Sequence, residues 1–204
     1  MPSLLPPVIP AGSLAAAGQP VLPAADGLRL RPWRPSDAPV FVSAFADPAI
    51  RRWHARSVDS EEEAREMIAG HPGAWEEERR AEWALEDAAG KVVGRAALAG
   101  GMGMNLHDGL AEVAYWILPE ARGRGIAPRA VEALTTWAFE TAGFHRLELA
   151  HSVHNTASCR VAEKTAFPLE GTLRSALRHT DGWHDMHLHA RVAAAGAGLI
   201  PPAS

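Results

Sequence analysis

The stretch AEVAYWILPEARGRGIAPRAVEAL, residues 111–134, decides the fold of this chain. Its first part, Ala111 to Leu118, predicts a strand, and a helix is predicted from Ala127 to Thr141 because its apolar residues recur at helical spacing. Between them, Gly123 and Gly125 allow the backbone to approach a ligand closely. The N–H groups at the start of the helix add positive potential at the same point. The stretch therefore predicts a strand–loop–helix unit whose loop is an anion site suited to a pyrophosphate.

Known phosphate motifs do not identify the ligand of this loop. A Walker loop requires GxxxxGK[ST], and the loop has no such lysine. A dinucleotide fingerprint requires a third glycine, whereas Pro128 follows Gly123 and Gly125 here. From the glycines alone, a tight turn between strand and helix is an equally good interpretation.

The regions on either side of this unit predict a mixed α/β sheet. The predicted order is one strand, two helices, three strands, a helix, a strand, a helix and two final strands, which is not a regular βαβ repeat. Ser60 with Glu63 forms a capping-box pattern for the second helix. We expect the folded unit to span 28–192, with an Ala/Pro-rich extension at 1–27 and a short tail at 193–204. Prolines interrupt the apolar start and no Lys or Arg follows Met1, so we do not expect a secretory signal.

Composition excludes several classes of function. The 204 residues carry a formal charge of −4, which argues against nucleic acid as a partner. No apolar run approaches the length of a membrane span, so no membrane partner is expected. Cys159 is the only cysteine, so an internal disulfide is excluded, and we expect a reducing, cytoplasmic location.

Two separated motifs resemble the GNAT acyltransferase superfamily. Arg122, Gly125 and Ala127 match in order the acyl-coenzyme A loop of that family, Gln/Arg-x-x-Gly-x-Gly/Ala. The segment HNTASCRVAEKTAF, residues 154–167, resembles the motif N-x-x-S-x-x-V-A-E-K-x-G-F of the RimJ/RimL-type branch. The opening LRLRPW, residues 28–33, is also similar to the start of proteins of that branch. The resemblance implies a mostly antiparallel, seven-stranded sheet flanked by helices, with two splayed parallel strands at its centre. It also implies acetyl-CoA as the acyl donor.

The same resemblance implies which residues hold the donor. Backbone groups near Ile117 and Leu118 would hold the pantetheine arm, and Asn155 would bond to it or to a water. Ser158 would lie near the sulfur and assist its departure. The pyrophosphate would contact the loop, whose members are Arg122, Gly123, Arg124, Gly125, Ile126 and Ala127.

Two positions depart from the family pattern. Ala162 stands where many members carry a tyrosine general acid, so the resemblance implies that this role is vacant or filled by Ser158. Ala166 stands where a glycine is usual, so the turn there is expected to differ slightly.

The base that removes a proton from the acceptor amine is expected to be Glu112, on the strand before the loop. An exposed strand glutamate without a role is the competing interpretation. His151 and His154 are the next candidates, while Tyr115 is expected to be a packing residue.

No metal site is expected near the C-terminus. His187 and His189 share a strand face with Asp185, and His184 is close by, but alternate histidines do not define four ligands.

The resemblance thus implies an acetyl-CoA-dependent N-acetyltransferase, with the α-amine of a protein or peptide as the favoured acceptor. The alternatives are a small amine, such as an antibiotic or polyamine, and a non-catalytic coenzyme A-binding module. We expect a monomer or homodimer.

Overall fold

The computed structural model describes residues 4–54, 57–99 and 104–194. A single sheet of nine strands forms its centre. Seven strands have four residues or more, which confirms the seven predicted, and two further strands have only two residues each. The strands are β1 (Leu22–Pro23), β2 (Arg29–Pro32), β3 (Ala81–Glu86), β4 (Val92–Leu98), β5 (Met104–Asn105), β6 (Leu110–Ile117), β7 (Arg146–Ser152), β8 (Leu169–His179) and β9 (Gly182–Val192).

Six α-helices lie along this part of the chain. They are α1 (Ser13–Ala17), α2 (Ala38–Ala46), α3 (Pro48–Arg51), α4 (Glu61–Glu76), α5 (Ile126–Trp137) and α6 (Thr156–Lys164). Ser60 caps α4 by accepting a hydrogen bond from the Glu63 amide at 3.2 Å, as its capping-box pattern predicts. Helix α5 ends before the predicted Thr141, because a π-helical turn at Ala138–Ala142 and left-handed Gly143 terminate it.

The strand order β1-β2-β3-β4-β6-β7-β9-β8 makes β6 and β7 neighbours at the centre of the sheet. They are parallel, whereas every other described pair is antiparallel. This confirms the mixed α/β architecture with one central parallel pair.

Two hydrophobic clusters cover the two faces of the sheet. One cluster packs α5 against Val113 and Leu147. The other packs α2 and α4 against Trp116 and Leu118. Because side chains alternate along a strand, each residue of β6 is assigned to one of these two environments. We call them the α5 face and the α2/α4 face.

The segment before β2 packs on the fold through a buried carboxylate. Glu78 accepts hydrogen bonds from three amides at the start of α1, those of Gly12, Leu14 and Ala15, at 2.6, 2.8 and 3.2 Å. Burial alone would raise the pKa of Glu78, yet these N–H groups outweigh it and the pKa is lowered. Ile9, Leu14 and Leu22 contribute buried side chains to the cluster on the α5 face.

Ala166 occupies the turn after α6 at which the family usually has glycine. Its φ is +54°, so the left-handed conformation is retained although the residue has a Cβ. Such a conformation costs roughly 1–2 kcal/mol for an L-residue.

None of the helices in the described ranges is long and apolar enough to cross a bilayer. The tail predicted at 193–204 lies outside these ranges except for its first two residues.

Candidate active site

A wedge-shaped gap opens between the two central strands. The parallel ladder covers only Leu110–Glu112 against Arg146–Glu148. Beyond it, β6 follows β4 as far as Ile117, while β7 follows β9 as far as Ser152. The two strands therefore part after Glu112, and an extended ligand can enter between them as an added strand.

The backbone of β6 directs alternate groups into this gap. The Glu112 carbonyl accepts from Ala99 at 2.8 Å and the Leu118 amide donates to Val93 at 3.0 Å, so both groups face β4. Because the direction alternates along a strand, the N–H groups of Tyr115 and Ile117 point to the other side, toward the gap.

The Leu118 carbonyl also has a partner within the fold, the Ala121 amide at 2.9 Å. Both backbone groups of Leu118 are thus engaged within the fold, so the predicted contact of this region with the arm would fall to the N–H of Ile117.

The loop Arg122–Ala127 follows at the wide end of the gap. Gly123 and Gly125 have φ of +75° and +70°, which favours glycine at both positions. Gly125 is the N-cap of α5, and a Cβ added at either glycine would meet no described atom within 4 Å. The loop therefore has open space beside both glycines, at a helix N-terminus whose N–H groups favour an anion.

The arginines of this loop differ in what they contact. Arg122 donates to Asp47 at 2.9 Å and to the Ile117 carbonyl at 3.1 Å, and it lowers the pKa of the Asp47 carboxyl. It fixes the start of the loop to the end of α2. Arg124 is exposed and, with Arg129, lines a cleft of about 260 Å³ beside the loop. Asp26 and Asp87 also line this cleft, and Arg129 donates to Asp26 at 2.5 Å, so Arg124 is the cationic side chain considered for the predicted pyrophosphate position.

Helix α6 brings two predicted residues to the α5 face of the gap. Asn155 caps the helix, since its Oδ1 accepts from the Ser158 amide at 3.2 Å. The Asn155 carboxamide nitrogen remains a donor that the capping bond does not use. Ser158 is half-buried in the first turn, so the two residues are held in a fixed relation.

Tyr115 lies beside Ser158, which the sequence did not predict. Burial raises the pKa of Tyr115 to about 12, and the nearby Ser158 hydroxyl partly opposes that effect. The phenol therefore stays protonated at neutral pH, and its oxygen is buried without a hydrogen bond within the described residues. The signal available in the sequence was the alternation that places Tyr115 on the same face of β6 as Val113.

Glu112 lies on the opposite face of β6 from Tyr115, the α2/α4 face. It is half-buried and is the register partner of Glu148 on β7, so the two carboxylates are neighbours across the parallel pair. Glu148 accepts from Arg146 at 2.8 Å. The two residues predicted to be catalytic, Glu112 and Ser158, are thus on different faces. They can act together only on a molecule that lies in the gap.

A buried polar group lies farther along the α2/α4 face. Glu82 accepts two hydrogen bonds from Arg95 at 2.6 and 2.7 Å. Burial would raise the pKa of Glu82, but Arg95 and Arg80 outweigh it and lower the pKa. Burial lowers the pKa of nearby His71. This group was not predicted from the sequence, although its signal was the presence of charged residues inside the otherwise apolar strands β3 and β4.

The structure separates the histidines considered in the sequence. His154 is exposed, with its ring 5.3 Å from that of His184. His184 bonds to Ser152 at 2.8 Å. His151 points to the α5 face instead, where it meets His187 and His189.

Asp185 accepts from the Ser175 amide at 2.8 Å. His184 and Asp185 therefore have partners of their own, and neither joins His187 and His189.

Comparison with known proteins agrees with this geometry. The family described as "Acetyltransferase (GNAT) domain" matches residues 27–168. The "Uncharacterized N-acetyltransferase YoaA" of Bacillus subtilis is 27% identical over 172 residues, which is 82% of this chain and 94% of the relative.

A second relative is the "Ribosomal-protein-serine acetyltransferase" of Escherichia coli. It is 33% identical over 82 residues, 40% of this chain and 46% of the relative. Among solved structures, RimL, the ribosomal L7/L12 α-N-protein acetyltransferase in complex with coenzyme A, matches with a TM-score of 0.78 and 22% identity. The match covers 85% of this chain and 98% of that one.

The family match over most of the chain, the splayed parallel strands and the loop at the α5 N-terminus lead to one conclusion: this chain belongs to the GNAT acetyltransferase family and is an N-acetyltransferase that uses acetyl-CoA as its acyl donor.

Proposed function

We propose that this protein acetylates the α-amine of a protein or peptide by direct transfer. The observation that carries the choice of acceptor is the exposed strand β8 at the edge of the sheet. Its residues Leu173 and Leu177 are 48% and 45% exposed and pair with Met186 and His184. Since register partners share a face, these leucines lie on the α2/α4 face, the same face as Glu112.

An exposed edge strand is suited to an extended polypeptide. Its unpaired backbone groups can bond to an added chain, and its apolar side chains can contact alternate residues of that chain. A small amine would use neither the backbone groups nor the apolar side chains of this strand. The names of the ribosomal-protein acetyltransferases among the relatives and structural neighbours support the same acceptor class. We also propose a cytoplasmic location for this activity.

We assign the acyl donor to the gap and its loop. The amides of Gly123 to Ala127 bind the pyrophosphate, with Arg124 beside them. The N–H groups of Tyr115 and Ile117 pair with the extended arm, and the Asn155 carboxamide bonds to its end. When bound, acetyl-CoA supplies an acetyl thioester.

Glu112 removes the proton that an ammonium group must lose before its nitrogen can attack. Its register partner Glu148 is paired with Arg146 at 2.8 Å, so Glu112 is the carboxylate of this pair that receives the proton. The proton passes from the amine to Glu112 directly or through one water.

On the other face, Ser158 donates a proton to the departing sulfur. Tyr115 lies beside it, and its protonated phenol can replace the proton that Ser158 gives up once the two side chains come within hydrogen-bond distance. The amine therefore loses a proton on one face of β6, and the sulfur gains one on the other.

The test is an acceptor panel read by thiol release. The panel pairs peptides that have a free amino terminus with the same peptides Nα-blocked but retaining a lysine, and adds polyamines and aminoglycosides. We expect kcat/KM for the free amino termini to exceed that for the other amines by at least about 100-fold, or about 2.7 kcal/mol.

Equal rates with blocked and free peptides would contradict α-amine specificity. Faster turnover of a polyamine or aminoglycoside would assign the site to small amines instead.

A further inference from the structure

Four side chains that can bind a metal converge beneath α6, on the α5 face of the sheet. They are His151 of β7, Cys159 of α6, and His187 and His189 of β9, and one potential ligand atom of each lies within 4.8 Å of the others. The ring centroid of His151 lies 5.5 Å from that of His187 and 5.2 Å from that of His189. We call these residues the His3Cys cluster.

Hydrogen bonds fix the tautomers of two of the histidines. The Nδ1 of His151 bonds to the Ser152 carbonyl at 2.8 Å, and the Nδ1 of His189 bonds to the Phe167 carbonyl at 2.9 Å. A carbonyl can only accept, so each Nδ1 carries the proton. In the neutral rings, Nε2 then presents a lone pair.

Those lone pairs have no partner in the part of the chain that the structure describes. The Nε2 atoms of His151 and His189 and the Nδ1 of His187 are buried there without a hydrogen bond. His151 and His189 are only 5% and 2% exposed. Buried polar atoms are normally satisfied, so three such nitrogens around one thiol indicate a ligand that accepts electron pairs.

We propose that the His3Cys cluster binds a zinc ion through one nitrogen of each histidine and the Sγ of Cys159. Zinc binds histidine nitrogen and cysteine sulfur with four-coordinate tetrahedral geometry, and three imidazoles and a thiolate supply four such donors. Histidine ligands of zinc commonly donate their other ring N–H to a backbone carbonyl, as His151 and His189 do. Tetrahedral zinc needs its nitrogen ligands roughly 3.3 Å from one another. The ligand atoms lie within 4.8 Å of one another, so small side-chain rotations would bring them to this separation.

The site differs in role from the acetyl-transfer site. Four protein ligands fill the coordination shell, so no position is left for substrate and the ion is structural. It joins α6 to β7 and β9, and α6 carries Ser158 next to Cys159. Zinc would therefore hold the serine in position without contacting the acyl group.

Metal binding to the purified full-length protein tests the proposal without reference to activity. After chelation and dialysis, the protein is titrated with zinc against a chromophoric chelator and separately with cobalt(II). We expect one zinc per chain, a Tm raised by roughly 5–10 °C at a hundredfold excess over Kd, and a tetrahedral cobalt spectrum with a thiolate charge-transfer band.

Two variants remove one ligand each, and a third serves as control. Cys159→Ser keeps the size of a half-buried helix residue, so the fold is expected to persist, while zinc affinity falls at least about 100-fold and the charge-transfer band is lost. His187→Ala should weaken binding similarly. His107→Gln changes an exposed histidine outside the cluster and should bind zinc like the wild type.

The proposal fails if the wild type binds zinc no more tightly than folded His187→Ala. It also fails if the cobalt complex lacks the thiolate band, or if Cys159→Ser retains wild-type affinity. Because binding and Tm are measured without acceptor or donor, failure here leaves the proposed function unaffected.

Discussion

Replacing Gly125 by valine tests whether the loop before α5 binds the pyrophosphate. Gly125 has φ +70° and ψ 16°, and its missing Cβ faces open space. Valine in this left-handed conformation costs roughly 1–3 kcal/mol, and its methyl groups occupy the volume in front of the loop amides. A control variant must therefore separate the effect of backbone strain on stability from the effect of the valine methyl groups on pyrophosphate binding.

Gly143→Val supplies that control. Gly143 has φ +83° and ψ 17° and lies at the other end of the same helical segment, where the nearest described atom to an added Cβ is Ile9 Cγ1 at 3.8 Å. Both variants should lose similar stability, with Tm lowered by roughly 2–10 °C.

Only Gly125→Val should weaken binding of coenzyme A. Displacing the pyrophosphate from one amide removes a hydrogen bond to a charged group, worth roughly 1.5–3 kcal/mol. The dissociation constant should therefore rise about 10- to 100-fold, since each 1.4 kcal/mol is tenfold.

Calorimetric titration with coenzyme A, which cannot turn over, measures this directly. The reasoning is refuted if folded Gly125→Val binds within about threefold of Gly143→Val.

Four further substitutions follow from the structure. Ser158→Ala should lower kcat about 100-fold with an unchanged dissociation constant for coenzyme A, and a wild-type kcat in single-turnover measurements would remove the proposed acid. Glu112→Gln should reduce kcat/KM most for amines of high pKa, whereas an equal loss across an amine series would indicate positioning rather than proton removal. Glu78→Gln should lower the free energy of unfolding by about 2 kcal/mol at pH 7. Because the folded-state pKa of Glu78 is lowered, the carboxylate stabilises the fold fully above the unfolded pKa near 4.5 and loses this effect as pH falls through the folded pKa. The urea midpoints of the wild type and the variant should therefore begin to converge below about pH 4.5. A difference that stays constant with pH would contradict this. Ala166→Gly should raise the free energy of unfolding by about 0.5–1 kcal/mol, since relief of the left-handed conformation exceeds the entropy cost of glycine, and a lower Tm would show that the strain estimate is wrong.

The sequence by itself determined the features that depend on neighbouring residues. The glycines at 123 and 125 required a tight turn into a helix, and Ser60 with Glu63 marked the start of α4. Periodicity predicted the seven longer strands and their order along the chain, because apolar spacing reports which face of an element is buried. With the two family motifs, this was enough to predict the fold, the acyl donor and the class of reaction.

Tertiary structure alone decided which distant side chains meet. The amides that Glu78 binds belong to α1, far away in the sequence, and no local pattern pairs them. Tyr115 lies beside Ser158, which belongs to another element, so no local pattern marked the tyrosine as more than a packing residue.

The His3Cys cluster shows the same limit most clearly. The sequence grouped His187 and His189 with their chain neighbours His184 and Asp185, whereas the structure joins them to His151 and Cys159. The physical reason is strand register: His151 pairs with His187 across β7 and β9, and a shift of β9 by one residue would turn His187 and His189 to the opposite face. Register is set by the packing of the whole sheet, so it is the property that only the folded chain determines.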